Sequence, residues 1–138
     1  MLRVDSTHYR RAIQTFIYHI SWKRLELRGK WLLHQDNAGP HTSKATTAFL
    51  RKKGIEMIPH PAYSPDLAPC DFWLFPNLKA SLRRQKFNRD EDVVIVCQTF
   101  FNLLKPANFA KTWVKWCARW DQYIHSEGHY LEKERDFK

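Results

Sequence analysis

The sequence predicts an α/β fold: a short parallel βαβ unit accompanied by several helices. Three observations predict it. An apolar run at residues 30–35 (KWLLHQ) stops on a cluster of turn formers, Asp36-Asn37-Ala38-Gly39-Pro40. A helix-length segment at 42–53 follows, and a second short apolar run at 55–59 closes the unit. Strand, helix and strand at this length are expected to cross over right-handed into a parallel pair. A chain of 138 residues suits a single domain.

The elements are justified in order. Residues 5–28 read as an amphipathic helix, with Tyr9, Ile13, Phe16, Ile17 and Ile20 recurring at helical spacing. Asp5 or Ser6 caps its start and Gly29 ends it. Residues 30–35 form a buried strand. In the helix at 42–53, Ala45, Ala48 and Phe49 face inward, while Lys44, Arg51, Lys52 and Lys53 face outward, and Gly54 closes it. Open parallel sheets gather ligands outside the carboxyl ends of their strands, and Asp36 falls at that end of the first strand.

Pro59, Pro61, Pro65 and Pro69 make the next stretch a stiff, irregular loop. Pro69 suits the first turn of a new helix, which puts Asp71 in that turn. Pro76 interrupts or kinks this helix before residues 77–84 continue it. Asn88 and Glu91 read as a capping pair for a helix with Val93, Cys97, Phe100, Phe101 and Leu104 on one face. Asn108 starts the last long helix, with Phe109, Trp113, Trp116, Cys117, Trp120 and Ile124 on one face. Gly128 ends it, and a charged tail follows from Leu131.

Composition narrows the partners. Lys and Arg number 23 against 14 Asp and Glu, a formal charge of +9. Such a surface favours phosphate polymers through counterion release. The most concentrated basic segment carries Lys79, Arg83, Arg84, Lys86 and Arg89, the candidate contacts to such a polymer. Cys70, Cys97 and Cys117 are odd in number and widely spaced, so neither a disulfide framework nor a structural zinc site is indicated. Reduced, buried thiols and an intracellular setting are expected. No apolar run approaches membrane-spanning length, so no membrane partner is expected.

Taken singly, Asp36 is a turn residue, Asp71 a favourable charge in a helix's first turn, and Asp66 a loop residue bonding to local backbone. His34, His41 and His60 have no recognised ligand spacing, and the tryptophans of the last helix have core periodicity.

The combination says more. HQDNAGPHTS and PHPAYSPDLAPCDFWLF, in this order and with 34 residues between Asp36 and Asp71, resemble the Tc1/mariner superfamily transposases. The first matches a DNAxPH-like segment, the second an SPDLAPxDxxLF-like segment, and Asp as the last member at this spacing resembles the mariner branch. The likeness runs on through Arg119-Trp120, Ile124, Gly128 and Tyr130.

The resemblance implies an RNase H-like catalytic core whose carboxylate triad binds two Mg²⁺ or Mn²⁺ ions for metal-dependent DNA strand cleavage and transfer. Asp36 and Asp71 would be catalytic metal ligands, while Asn37, His41 and Asp66 would shape the site. Hard cations take oxygen ligands, and two of them serve both oxygens of a phosphoryl displacement. It also implies double-stranded DNA as partner, a homodimer and the nucleus. The family's first carboxylate and its end-reading helix-turn-helix region lie upstream of anything found here. Residues 1–138 therefore read as the C-terminal part of such a catalytic domain, truncated at its N-terminal strands, with an exposed sheet edge and a tendency to self-associate. Three other readings stay open: a non-catalytic DNA-binding remnant, the mariner-derived part of a SET-domain methyltransferase fusion, and a non-functional relic.

Overall fold

The computed structural model describes residues 4–126, which divide into two units at the step from Tyr63 to Ser64. In the first, α1 (Ser6–Lys23) starts on Asp5, whose Oδ1 accepts the N–H groups of Thr7 and His8 at 2.9 and 2.8 Å. The helix stops five residues before the predicted end. Arg24 leaves the helical region, a 3₁₀ turn spans Leu25–Leu27, and Gly29 takes the left-handed φ of +69° needed to send the chain back along the helix.

Strand β1 (Leu32–His34) pairs in parallel with β2 (Glu56–Ile58), Leu32 opposite Glu56 and His34 opposite Ile58. Between them lie a short α2 (Gly39–Thr42) and α3 (Lys44–Lys52). The βαβ unit is therefore present, with one change: Gly39-Pro40 opens a helical turn instead of ending a loop, since proline suits a first helical position. The strand is also not buried on both sides. Leu33 joins Ile13 and Leu50 in the core, whereas Leu32 is 54% exposed. Leu33 and Leu32 point to opposite faces, and the core cluster lies on Leu33's side.

The buried face of α3 is Thr46 and Leu50 with Phe49 half-buried, while Ala45 and Ala48 are exposed. Polar satisfaction sets this rotation. Thr46 Oγ1 donates to the Pro40 carbonyl at 2.7 Å and accepts from Ser43 Oγ at 2.9 Å, so the hydroxyl can sit fully buried. Phe16, expected inside, is 45% exposed and meets Trp31 edge to face.

In the second unit a 3₁₀ turn (Pro65–Leu67) leads into a wide π-helical turn (Cys70–Leu74) that runs directly into α4 (Phe75–Arg83). The π turn is how the chain accommodates Pro76. Without an N–H, proline cannot bond four residues back, and a widened turn leaves room for its ring. Helix α5 (Asp90–Leu103) begins at Arg89, not at an Asn88 cap, and Phe101 is 47% exposed. Three acidic residues, Asp90, Glu91 and Asp92, fill its first turn and favour the helix dipole without a side-chain cap.

Helix α6 (Pro106–His125) starts two residues earlier than predicted, and Asn108 caps from inside, its Oδ1 accepting the Lys105 N–H at 2.8 Å. Its inward face is Thr112, Trp116, Arg119, Trp120 and Tyr123, so Trp116 and Trp120 lie as expected, whereas Phe109, Trp113, Cys117 and Ile124 are exposed. Two polar anchors on the 3₁₀ turn, described below, turn the helix this way. Trp73 and Phe109 meet edge to face beside an open apolar hollow of about 500 Å³. The cysteines are not buried as expected: Cys70, at the start of the π turn, and Cys117, on the outer side of α6, are exposed, and Cys97 is half-buried. Gly128, Tyr130 and the tail lie outside the described residues.

Candidate metal centre

Asp36 lies two residues beyond β1, at the carboxyl end of the parallel pair. Its Oδ1 accepts the Ala38 N–H at 3.0 Å and the His41 Nδ1–H at 2.5 Å. Among the described residues Oδ2 accepts no hydrogen bond, and 44% of the side chain's surface reaches solvent. Partial burial pushes the carboxyl up, but the bonds from Ala38 and His41 and the charges of His41 and His60 outweigh it, leaving it below its ordinary range. The group is an ionised, oriented oxygen donor with one face uncommitted.

The surroundings of Asp36 are built from three elements. Asn37 Nδ2 donates to the His60 carbonyl at 2.8 Å, tying the loop after β1 to the segment after β2. His34 Nε2 and His60 Nδ1 are 3.1 Å apart and share a hydrogen bond. Tyr9, from α1, lies on the His41 imidazole with ring centroids 4.1 Å apart. Burial, then the Asp36 charge, push the Tyr9 phenol up, so it keeps its proton.

Asp71 sits in the first turn of the π-helical segment, its backbone N–H bonded to Ala68 O at 2.9 Å. Its carboxylate is exposed and has no hydrogen-bond or ion-pair partner among the described residues. Asp66, five residues earlier, is held through its main chain: Arg119 Nη1 donates to its carbonyl at 2.9 Å, and its Oδ1 is buried without a partner. Trp116 Nε1 donates to Leu67 O at 2.8 Å, and the Arg119 guanidinium lies 4.3 Å over the Phe72 ring. Helix α6 thus holds the segment around Asp71 at three points, the Asp66 and Leu67 carbonyls before it and the Phe72 ring after it.

Asp36, Asn37 and His41 are therefore gathered in the first unit, and Asp66 and Asp71 in the second. Each carboxylate, taken within its own unit, offers the hard oxygen donors that Mg²⁺ and Mn²⁺ take. Within the described residues no group of three or more His, Cys, Asp or Glu forms a ready metal cage. Lys79, Arg83, Arg84, Lys86 and Arg89 are all exposed, on α4 and in the link to α5, and Arg89 pairs with Asp92 at 3.2 Å. Tyr9, Gln35, Trp116 and Phe72 were not singled out by sequence. Tyr9 and Trp116 read as core by periodicity, and only their polar atoms, met in three dimensions, mark them as supports of the site.

Comparison with known proteins places the chain in a family. The sequence profile described as DDE superfamily endonuclease matches residues 2–94. The chain is 36% identical over 97 residues to the Mos1 mariner transposase of Drosophila mauritiana, covering 70% of this chain and 28% of that protein. It is 32% identical over 105 residues to the human histone-lysine N-methyltransferase SETMAR, covering 76% of this chain and 15% of that protein. Among solved structures, the catalytic domain of Mos1 mariner transposase superposes with a TM-score of 0.86 at 29% identity, over 95% of this chain and 66% of that one. A Mos1 mariner paired end complex with Mn gives 0.86 at 30% identity, over 94% and 38%. The chain thus spans under a third of the length of these two curated relatives.

Proposed function

The chain belongs to the DDE superfamily endonucleases, as a mariner-like transposase catalytic domain of RNase H-like fold, and from that premise we propose that Asp36 and Asp71 are ligands of a two-cation centre for DNA strand cleavage and transfer. The observation that carries the proposal is the Asp36 carboxylate, ionised, held through Oδ1 and uncommitted at Oδ2 beyond the carboxyl end of β1. Asp71, exposed at the start of a helix, supplies the second oxygen donor. Mg²⁺ or Mn²⁺ held by these carboxylates would supply Lewis-acid activation of the attacking oxygen and stabilisation of the leaving oxygen in phosphodiester displacement.

The chain's own groups have separate tasks. His41 and Ala38 orient Asp36, and Asn37 ties its loop to the segment after β2. Asp66 and Arg119 set the turn before Asp71. The exposed Lys79, Arg83, Arg84, Lys86 and Arg89 track duplex phosphates. Residues 1–138 are read as the C-terminal part of such a catalytic domain, with Asp36 and Asp71 as two of its three carboxylates. A homodimer on double-stranded DNA in the nucleus completes the reading, supported by the solved paired end complexes of Mos1.

The test is Mn²⁺-dependent nicking of supercoiled DNA by this chain beside Asp36→Ala and Asp71→Ala, with DNA retention measured against salt and Mn²⁺ binding followed by paramagnetic broadening. With two of three carboxylates, the expected result is salt-sensitive retention by all three proteins, little nicking, and Mn²⁺ broadening lost when Asp36 is replaced. Nicking abolished by both substitutions would mean that a third ligand lies within this segment. Mn²⁺ broadening indifferent to both aspartates would overturn the cation assignment. The second reading, a binding remnant, is favoured by the exposed basic segment and requires DNA retention that metal does not alter.

A further inference from the structure

We propose that Tyr9, on α1, is a positioning residue for the Asp36 carboxylate, acting through Gln35 and His41; the proposal rests on reading Asp36 as a cation ligand. Four contacts close a circuit within the first unit. Tyr9 Oη donates to Gln35 Oε1. Gln35 Nε2 donates to the His41 main-chain oxygen at 3.1 Å and also reaches Met57 Sδ at 3.4 Å. His41 Nδ1 donates to Asp36 Oδ1 at 2.5 Å. The Tyr9 ring then lies against the His41 imidazole, centroids 4.1 Å apart and planes tilted by 35°.

The polarity of the circuit permits one arrangement. The His41 carbonyl can only accept, so Gln35 must present its Nε2 there and its Oε1 to the phenol. Flipping the amide would set two acceptors against each other at His41. Tyr9 therefore holds His41 twice, by its ring and, through Gln35, by its backbone. His41 in turn commits Asp36 Oδ1 and leaves Oδ2 as the oxygen available to a cation. If His41 were free to turn, Oδ1 would keep only the Ala38 bond and the carboxylate could swing about its Cβ–Cγ bond. Partners one shell out from a metal ligand typically set about 10- to 100-fold in metal affinity or activity. The circuit spans 26 residues of sequence from Tyr9 to Gln35, so nothing in local spacing announces it.

The experiment compares the 138-residue chain with Tyr9→Phe and Gln35→Glu by three measurements. These are the His41 ring ¹⁵N shifts and Nδ1–H signal, Mn²⁺ broadening of the Ala38 amide, and thermal melting. Tyr9→Phe keeps the ring contact and loses only the hydroxyl. Gln35→Glu still accepts from Tyr9 but cannot donate to the His41 carbonyl. Both are expected to mix the Nδ1–H and Nε2–H tautomers of His41 and to weaken Mn²⁺ binding about tenfold. An unchanged His41 tautomer in Tyr9→Phe overturns the proposal, whether or not the melting temperature falls. If Mn²⁺ leaves the wild-type Ala38 amide sharp while Tyr9→Phe still releases His41, the cation reading of Asp36 fails and the positioning of its carboxylate by Tyr9 stands.

Discussion

Arg119 Nη1 donates to the main-chain oxygen of Asp66 at 2.9 Å, across 53 residues of sequence. The same guanidinium lies over the Phe72 ring, so one side chain of α6 touches the chain on both sides of the Pro69 entry to Asp71's helix. Its partner contact, Trp116 to the fully buried Leu67, closes the other strand of this grip.

Replacing Arg119 by Lys keeps the charge and loses the planar fork and the stacking. Hydrogen bonds from charged groups and cation–π contacts together predict a loss of roughly 1–2 kcal/mol. Urea unfolding of the two proteins measures it. A midpoint that does not move would show that the grip is incidental.

Thr46→Val tests a buried hydroxyl. Thr46 is fully buried and supplies the donor for Pro40 O, so an isosteric methyl leaves that carbonyl without it. The expected cost is about 1–3 kcal/mol, read as a lower melting temperature. Ala45→Ser, on the exposed side of α3, should be close to neutral.

Acid should weaken the fold in two separate windows. Burial first, then the charge of His60, hold His34 below its ordinary 6.5 despite Asp36. The unfolded chain therefore takes up that proton first, and stability falls as pH drops below about 6.5. Asp36 stands below its ordinary 3.8, so the stability it contributes is full above the unfolded carboxyl's pKa and lost as pH falls through the folded value. Melting temperature against pH should lose its upper window in His34→Asn and its lower one in Asp36→Asn. An upper window that persists in His34→Asn would assign it to another group.

Salt dependence of DNA retention should report the basic segment residue by residue. Arg83→Ala and Arg84→Ala are each expected to lower the slope of log affinity against log salt by about 0.9, the loss of one phosphate contact. Arg89→Ala should lower it less, because Asp92 already shares that charge at 3.2 Å. Equal slopes for all variants would place the DNA elsewhere on the surface.

Much was legible in the residues themselves. The paired strands, the cap at Asp5, the left-handed closure at Gly54 after α3, and Asp71 in a helix's first turn all follow from local chemistry. The two motif words identified the family because their residues and separation are sequence properties. Tertiary structure alone decided which helix faces turn inward. Periodicity sees hydrophobicity, whereas α3 and α6 also turn inward polar groups that find partners: the buried Thr46 for Pro40, and the half-buried Trp116 for Leu67 and Arg119 for Asp66. It also decided how Pro76 is absorbed, by widening the turn that bears Asp71. The circuit from Tyr9 to Asp36 belongs to the same class. Each hydrogen bond in it needs a partner that only folding brings within reach.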